Sequence, residues 1–199
     1  MSRPPAAREA VLDAFERLIV ADGERAATLD ATAKAAGVSK GGLLYHFGSR
    51  HALIAGLTDR IRQLIDDDVA RIDAAPDGAV SYFIRSSTDV ATPLDRTFVA
   101  MVRLAQGGDR DAADALEEVR RRWIEVLSHH VADPTVALAV TLIGDGLYYH
   151  AALRAEADSP DASTIDDDAM NRLVALLQRL ARERPADGRA AGGASDHPS

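Results

Sequence analysis

Between Ser39 and Arg50 the chain gathers an unusual density of hydrogen-bond donors: Ser39, Lys40, Tyr45, His46 and Arg50, with Gly41 and Gly42 set among them. Hydroxyl, ammonium, phenol, imidazole and guanidinium groups packed this closely suit phosphate oxygens and base edges. The two glycines support that chemistry. Inside a helix each costs about 0.5–1 kcal/mol relative to alanine, and close backbone approach to a phosphate or base would account for the cost. The plainer alternative is a helical hairpin that never touches nucleic acid.

Local signals say what must hold these residues. Thr28 is an N-cap type placed before Leu29, Ala33 and Ala36, whose spacing follows one helical face. Gly37 can take positive φ, ending that helix in a sharp turn. Val38 offers a buried anchor in the turn, and Ser39 caps a second helix that Gly48-Ser49 stops near Phe47. Helix, short glycine-containing turn and helix is the architecture that sets a recognition helix in a DNA major groove.

Ala33–Gly41 (AKAAGVSKG), Leu44–Phe47 (LYHF) and Ser49-Arg50 closely resemble the TetR family of bacterial transcriptional regulators. The resemblance is strong over roughly the first sixty residues; beyond them only length and helical layout agree. It implies that Thr28 and the helix start it caps meet a phosphate. It also implies that Ser39, Lys40, Gly41 and Gly42 face base edges or backbone, and that Arg50 stands where the family usually has a phosphate-contacting lysine. Leu44 occupies a place where tyrosine is common, so Leu44 is assigned to the core and the aromatic phosphate contact to Tyr45. A basic residue is frequent where this chain has Asp30, and an acidic one at Ala31; Asp30 is read as complementing a helix N-terminus.

With 199 residues, 47% of them hydrophobic and 27% charged, the chain fits a soluble globular protein with a substantial core. No cysteine is present, which excludes disulfides, thiol nucleophiles and thiolate metal sites. No run of about eighteen apolar residues and no signal-peptide core occurs, so no membrane partner and a cytoplasmic location are expected. The net charge of −8 is uneven. Residues 1–60 carry +1 and the remaining 139 carry −9, while residues 25–60 alone carry +3. A small basic footprint on an acidic body suits a DNA module joined to something else.

Helical periodicity runs through the rest. A first helix starts at Pro4-Pro5, carries the stripe Val11, Phe15, Leu18 and Ile19, and closes at Gly23. From Ser49 the stripe Leu53, Leu57, Ile61, Leu64, Ile65, Val69 and Ile72 predicts a helix of six or seven turns, able to transmit movement to the DNA module. After the break Ala75–Gly78 come helices over Ala79–Val90, over Pro93–Ala105 with Thr92 as cap, and from Arg110 to Val131. In the last of these Leu116, Val119, Trp123, Leu127 and His130 share a face. A very apolar helix from Pro134 to Ala155 follows Asp133, then a loop from Glu156 to Ser163. A final helix over Ile165–Arg184 is capped by Thr164, with acids at its start and arginines at its end. No strand pattern and no repeat is found. An all-α fold of about nine helices is expected: a DNA-binding domain over 1–48, an effector-binding and dimerisation domain over 49–184, and a disordered tail over 185–199.

By the resemblance, the C-terminal part holds a small-molecule effector pocket. Its candidate lining is Phe98, Met101, Arg103, Trp123, Leu127, His130, Tyr148 and Tyr149, although each aromatic fits a plain core better than a ligand contact. The resemblance also implies a homodimer built from the last two helices through Val136, Val140, Ile143, Leu147, Leu173, Leu177 and Leu180, with Gly144 and Gly146 permitting close approach. Two recognition helices would then read a palindromic operator of double-stranded DNA. Neither a metal nor any other cofactor is expected: Glu125 and His129 share a face at i, i+4, but no third ligand is spaced to join them. Enzyme chemistry at His130 or His150 has no nucleophile or phosphate-loop motif behind it. The function expected is a ligand-responsive regulator, a repressor before an activator, with a helical interaction module as the alternative that lacks DNA binding.

Overall fold

A computed structural model describes residues 4–90, 92–156 and 165–183, and these form nine α-helices with no strand among them. They are α1 (Pro4–Asp22), α2 (Leu29–Ala35), α3 (Lys40–His46), α4 (Arg50–Asp73), α5 (Ala79–Ser86), α6 (Pro93–Gln106), α7 (Arg110–Ser128), α8 (Pro134–Glu156) and α9 (Asp167–Arg182). The loop and Thr164 cap expected over 156–164 reach beyond the described residues, as do Arg184 and the tail. No helix among the described residues is long and apolar enough to cross a membrane.

Capping fixes most helix starts. Thr28, Ser39, Ser49, Thr92 and Asp109 each accept a hydrogen bond from the amide three residues on, satisfying a donor the helix itself leaves unpaired. Gly37 takes φ of +69°, and the turn closes over Val38, whose amide bonds the Ala33 carbonyl at 3.0 Å.

Two apolar cores share the molecule. The first joins Val11, Leu12, Phe15 and Ile19 of α1 with Ala33, Leu43 and Phe47, the first four turns of α4, and Met101, Leu104 and Val119 of α6 and α7. The second joins Ile72, Phe83, Ile84, Val126 and Leu127 with α8 and α9. Val69 and Trp123 pack against both. The helix-turn-helix unit therefore shares its core with α6 and α7 instead of closing upon itself.

Several sequence expectations need correction. Leu44 is 40% exposed, and Leu43 is the fully buried neighbour that anchors α3. The α5 helix ends at Ser86, four residues early, because the hydroxyls of Ser86, Ser87 and Thr88 bond back to the carbonyls of Phe83 and Arg85, a competition typical of such side chains. The α7 helix ends at Ser128, which leaves His130 outside its face. Asp166, not Thr164, caps α9.

Part of the face expected to meet a second copy turns inward instead. Val140, Leu147 and Leu177 are buried in the second core, and Val136, Ile143, Leu173 and Leu180 pack against it. What α8 turns outward is Leu138, Leu142 and Tyr149, joined by Leu176 of α9. On a helix that is apolar on more than one face, the sequence does not say which face meets its own core.

Candidate nucleic-acid interface and effector cavity

The α3 helix rests on Leu43 and offers its other side to solvent. Tyr45 is 83% exposed, and its ring stands edge-on to that of His46 at 5.1 Å. A methyl group added at Gly41 would meet nothing within 4 Å, whereas one at Gly42 would touch the Ser39 hydroxyl at 3.3 Å. Nothing inside the molecule requires Gly41 to lack a side chain.

Two cations on this surface already have carboxylate partners. Lys40 pairs with Asp30 at 2.9 Å, so Asp30 does more than complement the start of α2. Arg50 bonds both the carboxylate of Glu24 at 3.0 Å and its carbonyl at 3.3 Å. Thr28 is occupied as a cap toward Ala31, and its carbonyl accepts the Thr32 hydroxyl. The Lys40–Asp30 pair links α3 to α2, and Lys40, Gly41, Tyr45 and His46 lie on a single short helix.

A second feature lies away from α3: a cavity of about 330 Å³ between α4, α5, α6, α7 and α8. Five of the chain's nine aromatic residues line it: Tyr82, Phe83, Phe98, Trp123 and Tyr148. Trp123 meets Phe83 at 5.8 Å and Phe98 at 6.1 Å, and Phe98 meets Tyr148 edge-on at 5.9 Å. Polar edges of this wall are tied to carboxylates. The Trp123 indole donates to Asp68 at 2.9 Å, and the Tyr148 hydroxyl donates to Asp95. Burial, and then the neighbouring Asp95, push the Tyr148 phenol well above its ordinary pKa. Burial likewise raises the Asp68 carboxyl, against the opposing pull of Trp123 and Arg71.

Of the eight residues expected here, Phe98, Trp123 and Tyr148 line the cavity. Met101 and Leu127 are fully buried in the two cores. Arg103 reaches the Ile19 carbonyl on α1 at 3.4 Å, His130 pairs with Asp73 at 2.8 Å, and Tyr149 points outward at 62% exposure. The polar lining was missed: Asp67, Asp68 and Arg71 of α4, Ser86, Ser87, Asp89, and Asp95 and Asp145. One signal was available, since Asp68 and Arg71 stand beside Leu64 at helical spacing, but charges on an amphipathic helix usually read as solvated. Gly144 lets α8 approach α5 so closely that a methyl there would lie 2.5 Å from the Phe83 ring.

Two family models match, described as bacterial regulatory proteins of the tetR family over residues 11–57 and as the tetracyclin repressor-like C-terminal domain over residues 77–182. The chain belongs to the TetR family. Solved structures agree with that TetR fold. GusR of Salmonella enterica aligns with TM-score 0.65 at 17% identity, covering 91% of this chain and 98% of that one. The multidrug binding protein EbrR complexed with malachite green gives 0.63 at 20%, covering 88% and 98%. A transcriptional regulator of Streptomyces coelicolor A3(2) gives 0.61 at 22%, covering 89% and 99%. No curated protein matches the chain in sequence. TetR-family regulators are DNA-binding proteins and are generally not enzymes.

Proposed function

We propose that this TetR-family chain is a ligand-responsive repressor whose homodimer binds a palindromic operator and is released by a small molecule. The observation that carries the DNA part is the outward surface of α3: an exposed Tyr45, a lysine at the helix start, and a glycine whose missing side chain no internal contact explains. Thr28, Ser39, Lys40, Gly42, His46 and Arg50 complete the proposed contact set, with backbone contacts positioning α3 and base edges giving specificity.

One short recognition helix reads few bases, so two-fold related half-sites suit it. Leu138, Leu142, Tyr149 and Leu176 form an outward apolar face on α8 and α9, which supports a second copy of the chain as its cover. The aromatic cavity supports the effector role. One structural relative is a multidrug binding protein solved with malachite green, and by that likeness the cavity here is the effector site. An effector that fits one spacing of the recognition helices better than the other shifts the population between them.

Selection of bound duplexes from a random pool tests the reading. A two-fold symmetric sequence should emerge, and its affinity should fall steeply as salt rises. Lys40→Ala combined with Tyr45→Ala should abolish binding while helicity and dimerisation persist. Retained operator binding by that double variant would sink the assignment of α3.

A further inference from the structure

The lining of the cavity is chemically one-sided. Five aspartates face it (Asp67, Asp68, Asp89, Asp95 and Asp145) against a single arginine, Arg71. Arg120 answers Asp145 at 2.7 Å, and Arg71 lies close enough to Asp68 and Tyr82 to oppose the rise in both their pKa values. Asp67 and Asp89 have no ion pair among the described residues, so negative charge remains in excess, inside a body that is itself acidic. Such a cleft concentrates cations and repels anions.

The same wall presents rings. Phe83, Trp123, Phe98 and Tyr148 follow one another at 5.8–6.1 Å between centroids, with Asp68 hydrogen-bonded to the Trp123 edge. Ring faces attract a cation through their quadrupoles, tryptophan most of all. A carboxylate offers about four lone-pair sites, more than one indole N–H uses. An ammonium head between Asp68 and these rings would meet both kinds of attraction, and its hydrocarbon body would fill the apolar remainder.

We infer that the cavity selects an organic cation with an aromatic or aliphatic body, and that Asp68 is the residue reading its charge. This rests on taking the cavity as the effector site and adds the class of effector. A carboxylate-bearing effector would meet five aspartates against the single arginine, Arg71.

Three probes with one phenylbutyl body and different heads test the inference on the full chain: 4-phenylbutyltrimethylammonium, 4-phenylbutanol and 5-phenylpentanoate. Binding is followed by calorimetry and by the fluorescence of Trp123, the sole tryptophan. The ammonium should bind about tenfold tighter than the alcohol, and the carboxylate weakest. Asp68→Asn retains an acceptor for Trp123 and should bring the ammonium down to the alcohol's affinity while leaving the alcohol unchanged. Asp95→Asn should weaken the ammonium in the same sense. An alcohol or carboxylate that binds as tightly as the ammonium overturns the inference, as does an Asp68→Asn protein that keeps the preference, or a folded protein that binds none of the three. Duplex binding measured on the same protein separates the two readings. An ammonium preference without DNA binding would leave the cavity chemistry standing and end the regulator reading, and operator binding with a carboxylate preference would do the reverse.

Discussion

Thr97 donates its hydroxyl to Glu16 across 2.7 Å, tying α6 to α1. Glu16 is only 5% exposed and also meets Arg60 of α4 at 3.2 Å and Arg96 of α6 at 3.8 Å. Arg60 in turn holds Glu9 at 2.7 Å and Asp13 at 2.9 Å. Burial works against the Arg60 charge, but Glu9, Glu16 and Asp13 outweigh it and its pKa rises. Phe98, next to Thr97, lines the cavity. One face of α6 thus borders the cavity while the other is bonded to the first helix of the DNA-binding unit. Glu16→Ala should lower unfolding free energy by about 1–2 kcal/mol, since Thr97 and Arg60 each lose one of their partners, and Thr97→Val by about 1 kcal/mol. Urea unfolding measures both. An alanine variant within about 0.5 kcal/mol of the parent would show the network to be without structural weight.

Gly41 gives a prediction of opposite signs. Alanine there fits without contact and should stabilise the fold by about 0.5 kcal/mol. Operator affinity should nevertheless fall, because the methyl group would stand between α3 and the DNA. Thermal melts and duplex titration measure the two effects, and unchanged affinity would remove Gly41 from the interface.

Tyr45 separates function from folding in another way. At 83% exposure, Tyr45→Ala should change stability by less than about 0.5 kcal/mol, yet weaken operator binding about tenfold. A variant that melts early and still binds DNA normally would place the ring in the fold and not in recognition.

On α8, Leu142 is 54% exposed while Val140 is fully buried. Leu142→Glu should yield a folded monomer by sedimentation, whereas Val140→Ala should lose about 1–3 kcal/mol of monomer stability and leave self-association intact. A Leu142→Glu protein that remains dimeric would assign the interface elsewhere.

Asp68 sets a pH dependence whose sign follows from its raised pKa. The native chain takes up this proton before the unfolded chain does. Charged Asp68 therefore costs stability at pH above its folded pKa, and that cost fades as pH falls through it toward the ordinary value of about 3.9. Asp68→Asn should melt at or above the parent at pH 7, with the gap closing on acidification. A gap that opens on acidification would contradict the assignment.

Caps, stripes and turn glycines made the nine helices legible, because Thr28, Ser39 and Thr92 act through neighbours three residues away. The surface of α3 was legible for the same reason: a seven-residue helix places its side chains by local geometry alone. The cavity was not. Phe98, Trp123 and Tyr148 converge from α6, α7 and α8, and no local rule separates them from Met101 or Leu127, which are equally apolar and end in the core. Leu44 shows the limit at its sharpest. One residue decides which of two adjacent leucines is buried, and a turn of 100° per residue is finer than the spacing of so short a stripe.

The pairs Lys40–Asp30 and Arg50–Glu24 bear on how such a protein searches a genome. Lys40 and Arg50 are each paired with an acid of their own chain, so a phosphate must displace that partner before gaining either of them. Only where base edges add their share does the exchange become favourable. In the proposed role, Asp30 and Glu24 compete with phosphate for Lys40 and Arg50 and so lower the affinity for unrelated sequence.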